Sequence, residues 1–226
     1  MVEYKHRDGI IRFYPEENKI EIEGISPFQK EKEEKKPFKG RVYANPYSVF
    51  EAYKLIRQAV EGQDIEQGKV VFFNNGFKRM PYFAIGKPAN VSEGFIKRKG
   101  VFTLFAENTK ENMASRFILT LNDLISLLSY LRQMPMRFSI GLLTLERKND
   151  SFYLINPFLR QINLTEFERI KIALKQSLSG KDDIIPAYIG DYVAIFKRDN
   201  DLIVRTDLEE VKISDDLKRE LWTFLT

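Results

Sequence analysis

Four times along the chain, an alternating apolar and polar run passes directly into a run whose apolar positions recur every three or four residues. The segment ASRFILTLNDLISLLSYLRQM (114–134) is the clearest case. Phe117, Leu119 and Leu121 alternate as in a half-buried strand, and Leu124, Leu127, Leu128 and Leu131 then follow at helical spacing. The same transition is read at VYAN ending at Asn45, at INLT ending at Thr165 and at VKIS ending at Ser214.

In all four junctions an apolar residue lies three before the expected cap (Val42, Leu119, Ile162, Val211). Another lies one before it (Ala44, Leu121, Leu164, Ile213), and the position between is polar or amphipathic. The expected caps are Asn45, Asn122, Thr165 and Ser214, all residues whose side-chain oxygen can accept from the orphan N–H groups of a first turn. Pro46 suits the first helical position, and Thr165 with Glu168 reads as a capping box. Apolar stripes follow, such as Val49, Phe50, Tyr53 and Ile56 after the first cap. Gly62, Pro135 and Gly180 are the stop signals.

Shorter alternating runs precede each junction, among them IIRFY and KIEIEG, KVVFF and PYFAIG, RFSIGLLTLE and SFYLI, and YVAIFK and LIVRT. Asn-Asp and Asp-Asn turns between them fit tight antiparallel hairpins. The expected fold is therefore α+β, with antiparallel sheets, helices packed on one face, and a strands-then-helix unit repeated four times. The seam at Met134–Pro135 divides the chain into a basic pair of units, 1–134, and a near-neutral pair, 135–226. The mixed-charge stretch QKEKEEKKPFKG (29–40) reads as a solvated hairpin loop, with a phosphate-engaging arm as the alternative.

Composition narrows the chemistry. The absence of cysteine removes disulfides, thiolate catalysis and cysteine-bound metal clusters. A single histidine, His6, excludes multi-histidine sites and is expected in a solvated tail. Neither common phosphate-cradling loop occurs. No apolar run reaches membrane-spanning length, and the first residues lack a secretory h-region, so a cytoplasmic protein without membrane partners or cofactors is expected.

Charge is unevenly placed. Residues 1–134 carry 22 Lys/Arg against 17 Asp/Glu, while 135–226 carry 14 against 15. Within 69–99, seven basic residues stand against Glu93 alone, interleaved with Phe72, Phe73, Phe77, Tyr82, Phe83 and Phe95. Basic side chains that follow a phosphate backbone, with aromatic rings that stack on bases, are what single-stranded nucleic acid requires. The residues assigned to that role are Arg41, Tyr43, Phe77, Lys78, Arg79, Tyr82, Lys97, Arg98, Lys99, Phe102 and Arg116. Glu21 and Glu23 are expected on the same outer face as Arg41, where they would pair with it.

The stretch KGVFTLFAENTKENMASRFILTLNDLISLLSYL (99–131) resembles a repeat of the PUR family through Lys99, Gly100, Phe102, Ala106, Glu107, Ser115, Arg116, Leu119 and Leu121. The other three units share the strand-cap-helix pattern without those residues. The resemblance, which extends to the related Whirly proteins, implies a four-strands-then-helix unit used in pairs to bind single-stranded DNA or RNA.

Two other readings are open at this level. A protein-interaction module would use the neutral half, with Trp222 and Phe224 at a homodimer contact. A metal-dependent nuclease would use Asp123 with Glu146 and Lys148, although an acid at the start of a helix also answers the helix dipole.

Overall fold

The computed structural model describes residues 1–24, 28–29, 38–63, 69–73, 82–86, 102–108 and 113–226. It is an α+β structure whose chain contacts gather into two compact units, Met1–Pro135 and Met136–Thr226. Among the described residues, each unit holds two antiparallel sheets and two helices.

In unit 1 the first sheet is formed by β1 (Val2–His6), β2 (Gly9–Tyr14), β3 (Lys19–Gly24) and β5 (Phe38–Tyr43), hydrogen-bonded in that order. A two-residue strand, β4 (Phe28–Gln29), departs to the other sheet. Helix α1 (Pro46–Val60) follows. The second sheet is β6 (Lys69–Phe73), β7 (Tyr82–Gly86), β8 (Phe102–Asn108) and β9 (Met113–Leu119), with β4 on the far side of β9, and leads into α2 (Leu121–Leu131).

Unit 2 repeats the plan. Its sheets are β10 (Met136–Ile140), β11 (Leu143–Lys148), β12 (Ser151–Asn156) and β13 (Arg160–Gln161), before α3 (Leu164–Leu178), and then β14 (Ala187–Ile189), β15 (Val193–Arg198), β16 (Asp201–Thr206) and β17 (Glu210–Ile213), before α4 (Asp215–Leu225).

The strands follow the two-residue period. In β2, Ile11 and Phe13 are buried while Arg12 and Tyr14 are partly exposed; in β3, Ile20 and Ile22 are buried. Strand β1 departs from the expected solvated tail, because Val2, Tyr4 and His6 alternate and Tyr4 is buried. The stretch 29–40 is likewise not all loop: Gln29 pairs with Met113, and Phe38–Gly40 begin β5, with Phe38 fully buried.

Helices cover the inner sheet faces reciprocally. Helix α1 lies against β6 and β7 of the second sheet, and α2 lies against β1 of the first. In unit 2, α3 lies against β14 and β15, while Phe224 of α4 stacks with Phe138 of β10 at 5.7 Å between centroids. Close approach within unit 1 requires a bare backbone at Gly24, where any side chain would collide with buried Ser115.

Two of the four expected caps are displaced. Helices α1 and α4 are capped by Asn45 and Ser214 as the sequence suggests, but α2 begins at Thr120 and α3 at Asn163. At both of these the cap lies two residues earlier than expected and is closed by a capping box, which the sequence suggests only for α3. Thr120 Oγ1 accepts from the Asp123 N–H while the Asp123 carboxylate accepts from the Thr120 N–H at 2.6 Å. Asn163 and Glu166 do the same at 2.9 and 3.0 Å. Leu121 and Leu164 consequently sit at the first helical position, 56% and 74% exposed, instead of pointing inward from a strand. Gly62 and Gly180, with φ of 75° and 67°, end α1 and α3; the following N–H groups of Gln63 and Lys181 reach back to the carbonyls of Gln58 and Gln176, closing Schellman-type ends.

Arg147, between Glu146 and Lys148 on β11, is 1% exposed despite its charge. Its guanidinium donates to the Phe224 carbonyl at the end of α4 and to the Asn149 carbonyl, and lies over the Phe152 ring. A cation is favourable at this end of a helix dipole.

Because the cap of α3 is Asn163, Asn163→Ala should destabilise the protein by about 1 kcal/mol, whereas Thr165→Ala should change stability little. Urea denaturation followed by circular dichroism distinguishes the two; the reverse ranking would show that the helix starts at Thr165.

Candidate nucleic-acid interface

The outer face of the first sheet of unit 1 is an ordered array of opposite charges. Cross-strand register aligns Glu3, Arg12, Glu21 and Arg41 in one row. Arg12 donates to Glu3 at 2.9 Å and to Glu23 at 3.2 Å, and Arg41 pairs with Glu21 at 2.6 Å. Glu21 also accepts from the Tyr14 hydroxyl at 3.0 Å, and Lys39 lies 3.9 Å from Glu23. Lys19, though only 7% exposed, bonds Glu17 and lies over the Tyr14 ring.

The ionisation of these groups follows. Burial works to raise the Glu21 carboxyl, but the Tyr14 hydrogen bond and Arg41 outweigh it and hold it below its ordinary value. The Arg12 guanidinium is held more firmly protonated by hydrogen bonds to Glu23 and Glu3. Arg12, Glu21, Glu23, Lys39 and Arg41 line an open depression of about 340 Å³. Its rim carries both signs, so it offers no uniform attraction to a polyanion.

Arg41 and Tyr43 thus project outward as expected, with side chain and residue exposures of 62% and 53%, and the expected pairing of Arg41 with Glu21 is present. On the second sheet Arg116 is exposed. Register places Val71, Ala84, Phe105 and Arg116 in one row across β6 to β9, and Phe73, Tyr82 and Glu107 in the row two residues along, at the same strand parity. Among the residues whose side chains are described, no carboxylate forms an ion pair with Arg116. Phe102 holds the other strand parity, two residues from buried Leu104 and opposite buried Leu119, so it does not share a row with Tyr82 or Arg116. Phe77, Lys78, Arg79, Lys97, Arg98 and Lys99 lie outside the described residues.

His6 is not a solvated tail residue: its side chain is 3% exposed. Nδ1 accepts from the Asp8 N–H at 3.0 Å, since a backbone amide can only donate. That leaves Nε2 to donate to the Ile118 carbonyl at 3.2 Å, with Asp123 Oδ2 at 3.5 Å. Asp8 in turn accepts from the Ile118 N–H. The side chains of His6, at the end of β1, and Asp8, in the β1–β2 turn, therefore supply the hydrogen bonds a neighbouring strand would give to the edge of β9. Tyr4 donates its hydroxyl to Asp123. Burial and this hydrogen bond raise the Tyr4 phenol far above its ordinary value. For Asp123, burial raises the carboxyl, but hydrogen bonds from Thr120 and Tyr4 outweigh it and the net shift is downward. The signal for this cluster was present in the Val2-Tyr4-His6 alternation.

The alternative sites fare differently. Asp123 belongs to unit 1 and is committed to the α2 cap and Tyr4, while Glu146, in unit 2, accepts from Arg137 at 2.6 Å. Among the described residues no three His, Asp or Glu side chains gather around a common point suited to a metal ion. Phe224 is 1% exposed and belongs to the core of unit 2, so it is unavailable for a dimer contact. Among the described residues no helix is long and apolar enough to cross a membrane.

Comparison with protein-family models, with curated proteins and with solved structures returned no match.

Asp123→Asn should destabilise unit 1 by about 2 kcal/mol at neutral pH, because it weakens hydrogen bonds to a charged acceptor. A carboxyl held below its ordinary value contributes fully above the unfolded-state pKa and loses that contribution as pH falls through the folded-state value. The gap between variant and parent should therefore begin to close below about pH 4. Urea midpoints across that range test this; a gap independent of pH would show that the charge of Asp123 contributes nothing.

Proposed function

We propose that unit 1 binds single-stranded nucleic acid, DNA or RNA, across the outer face of its second sheet. The observation that carries this reading is Arg116, exposed on β9 in a register row with Phe105 and two residues along the strands from the row of Tyr82 and Phe73. The sequence between and beside these strands carries the most basic window of the chain, with Lys78, Arg79, Lys97, Arg98 and Lys99. Basic groups hold the phosphates, and aromatic rings at tolerant spacing stack the bases, each stack contributing roughly 1–3 kcal/mol. The pairing of sheet-and-helix modules accords with the resemblance to PUR and Whirly repeats, with β4 as a fifth strand in the second sheet. Arg41 and Tyr43 take the lesser part, since Arg41 already satisfies Glu21.

Fluorescence anisotropy with labelled single-stranded DNA, single-stranded RNA and duplex DNA at two salt concentrations tests the proposal. Single strands should be preferred, and binding should weaken steeply with salt. Changing Lys97, Arg98 and Lys99 together to Ala should weaken binding roughly tenfold. Arg116→Ala should lower the salt slope by about 0.7. No binding at low salt up to about 100 µM protein would overturn the proposal.

A further inference from the structure

The four hairpin tips at one end of the sheets of unit 2 form a linked surface. The Leu142 N–H donates to Glu209, and the Leu142 carbonyl accepts from the Asn156 side chain. Phe158 and Tyr192 meet at 4.5 Å between ring centroids, and Glu166, paired with Arg160 at 3.0 Å, accepts from the Gly190 N–H at 2.9 Å. These contacts join the β10–β11, β12–β13, β14–β15 and β16–β17 connections to one another.

This surface is apolar where solvent reaches it. Leu208 is 74% exposed, Leu159 76%, Phe158 50% and Leu142 44%. Single exposed apolar residues are ordinary, but several on mutually bonded tips form a patch of the kind associated with partner binding. The charge around it is acidic: Asp191, Asp207 and Glu209 lie on the tips, and the single basic residue there, Arg160, is neutralised by Glu166. Arg205, one residue in from its tip, lies over Phe196 and beside Glu210.

We infer that this end of unit 2 docks a basic protein segment that carries apolar side chains. The charge selects among occupants. Self-association through a two-fold axis would set Asp191 and Asp207 of one copy against those of the other, and an anionic lipid surface would meet the same acids, whereas lysines flanking apolar residues satisfy both the patch and its rim. The inference does not rest on nucleic-acid binding by unit 1.

The test uses the full chain and a short fluorescein-labelled peptide alternating Lys and Leu, with a Lys and Ser counterpart as control. The Lys-Leu peptide should bind, and the Lys-Ser peptide should bind roughly tenfold more weakly. Leu159→Ser with Leu208→Ser should cause a similar loss, as should Asp191→Asn with Asp207→Asn, and none of these exposed changes should shift the thermal midpoint. Absence of Lys-Leu binding, or binding unaffected by both double variants, overturns the inference. So does tip-dependent binding to phosphatidylserine vesicles, or self-association in sedimentation that Leu208→Ser abolishes, because each assigns the patch to another occupant.

Discussion

A four-stranded antiparallel sheet has one apolar face, and water must be kept from it. In this protein the helix that follows each sheet goes chiefly to the sheet of the other module: α1 to β6 and β7, α2 to β1, and α3 to β14 and β15. Neither module of a unit therefore completes its own core, and the unit, not the module, is the smallest piece that buries its apolar surface. The short junctions between strand and helix follow from this. A helix that must reach a neighbouring sheet has to leave its strand at a defined angle, and the reciprocal side-chain bonds of Thr120 with Asp123 and Asn163 with Glu166 fix where it leaves.

The α+β architecture and its strand-then-helix rhythm were legible because burial on one face imposes the two periods that the sequence displays. What escaped the reading had different causes. Leu121 and Leu164 fit strand alternation as well as they fit the first turn of a helix, and only closure of the capping boxes decides between the two. Strand β1 was hidden because its inward positions include a histidine and a tyrosine, which read as polar until their partners Asp123 and Ile118 are brought in from far along the chain. The pairing of Phe28 with Ala114 rests on long-range register, which no local pattern encodes. Nor does the pattern around Arg147 reveal its burial, which depends on a helix end and an aromatic face that receive the guanidinium.

For the candidate site, orientation was easier to read than availability. Alternation correctly turned Arg41 and Tyr43 outward, and the acids opposite Arg41 were visible in the same pattern. A basic residue on an open sheet face is nevertheless a poor ligand for phosphate when a carboxylate 2.6 Å away already holds it. Among the residues whose side chains are described, none holds Arg116 in this way, and register alone sets the aromatic positions of β6 to β8 at strand spacings beside it.

The row of Glu3, Arg12, Glu21 and Arg41 has an electrical consequence of its own. Two negative and two positive charges in alternation sum to zero, so the potential of the row decays with distance as that of a dipole, not of a point charge. Beyond roughly one Debye length, about 8 Å at physiological ionic strength, an approaching ion finds this face nearly silent. The first sheet is thus legible only at contact range, and the protein's long reach must come from elsewhere on its surface.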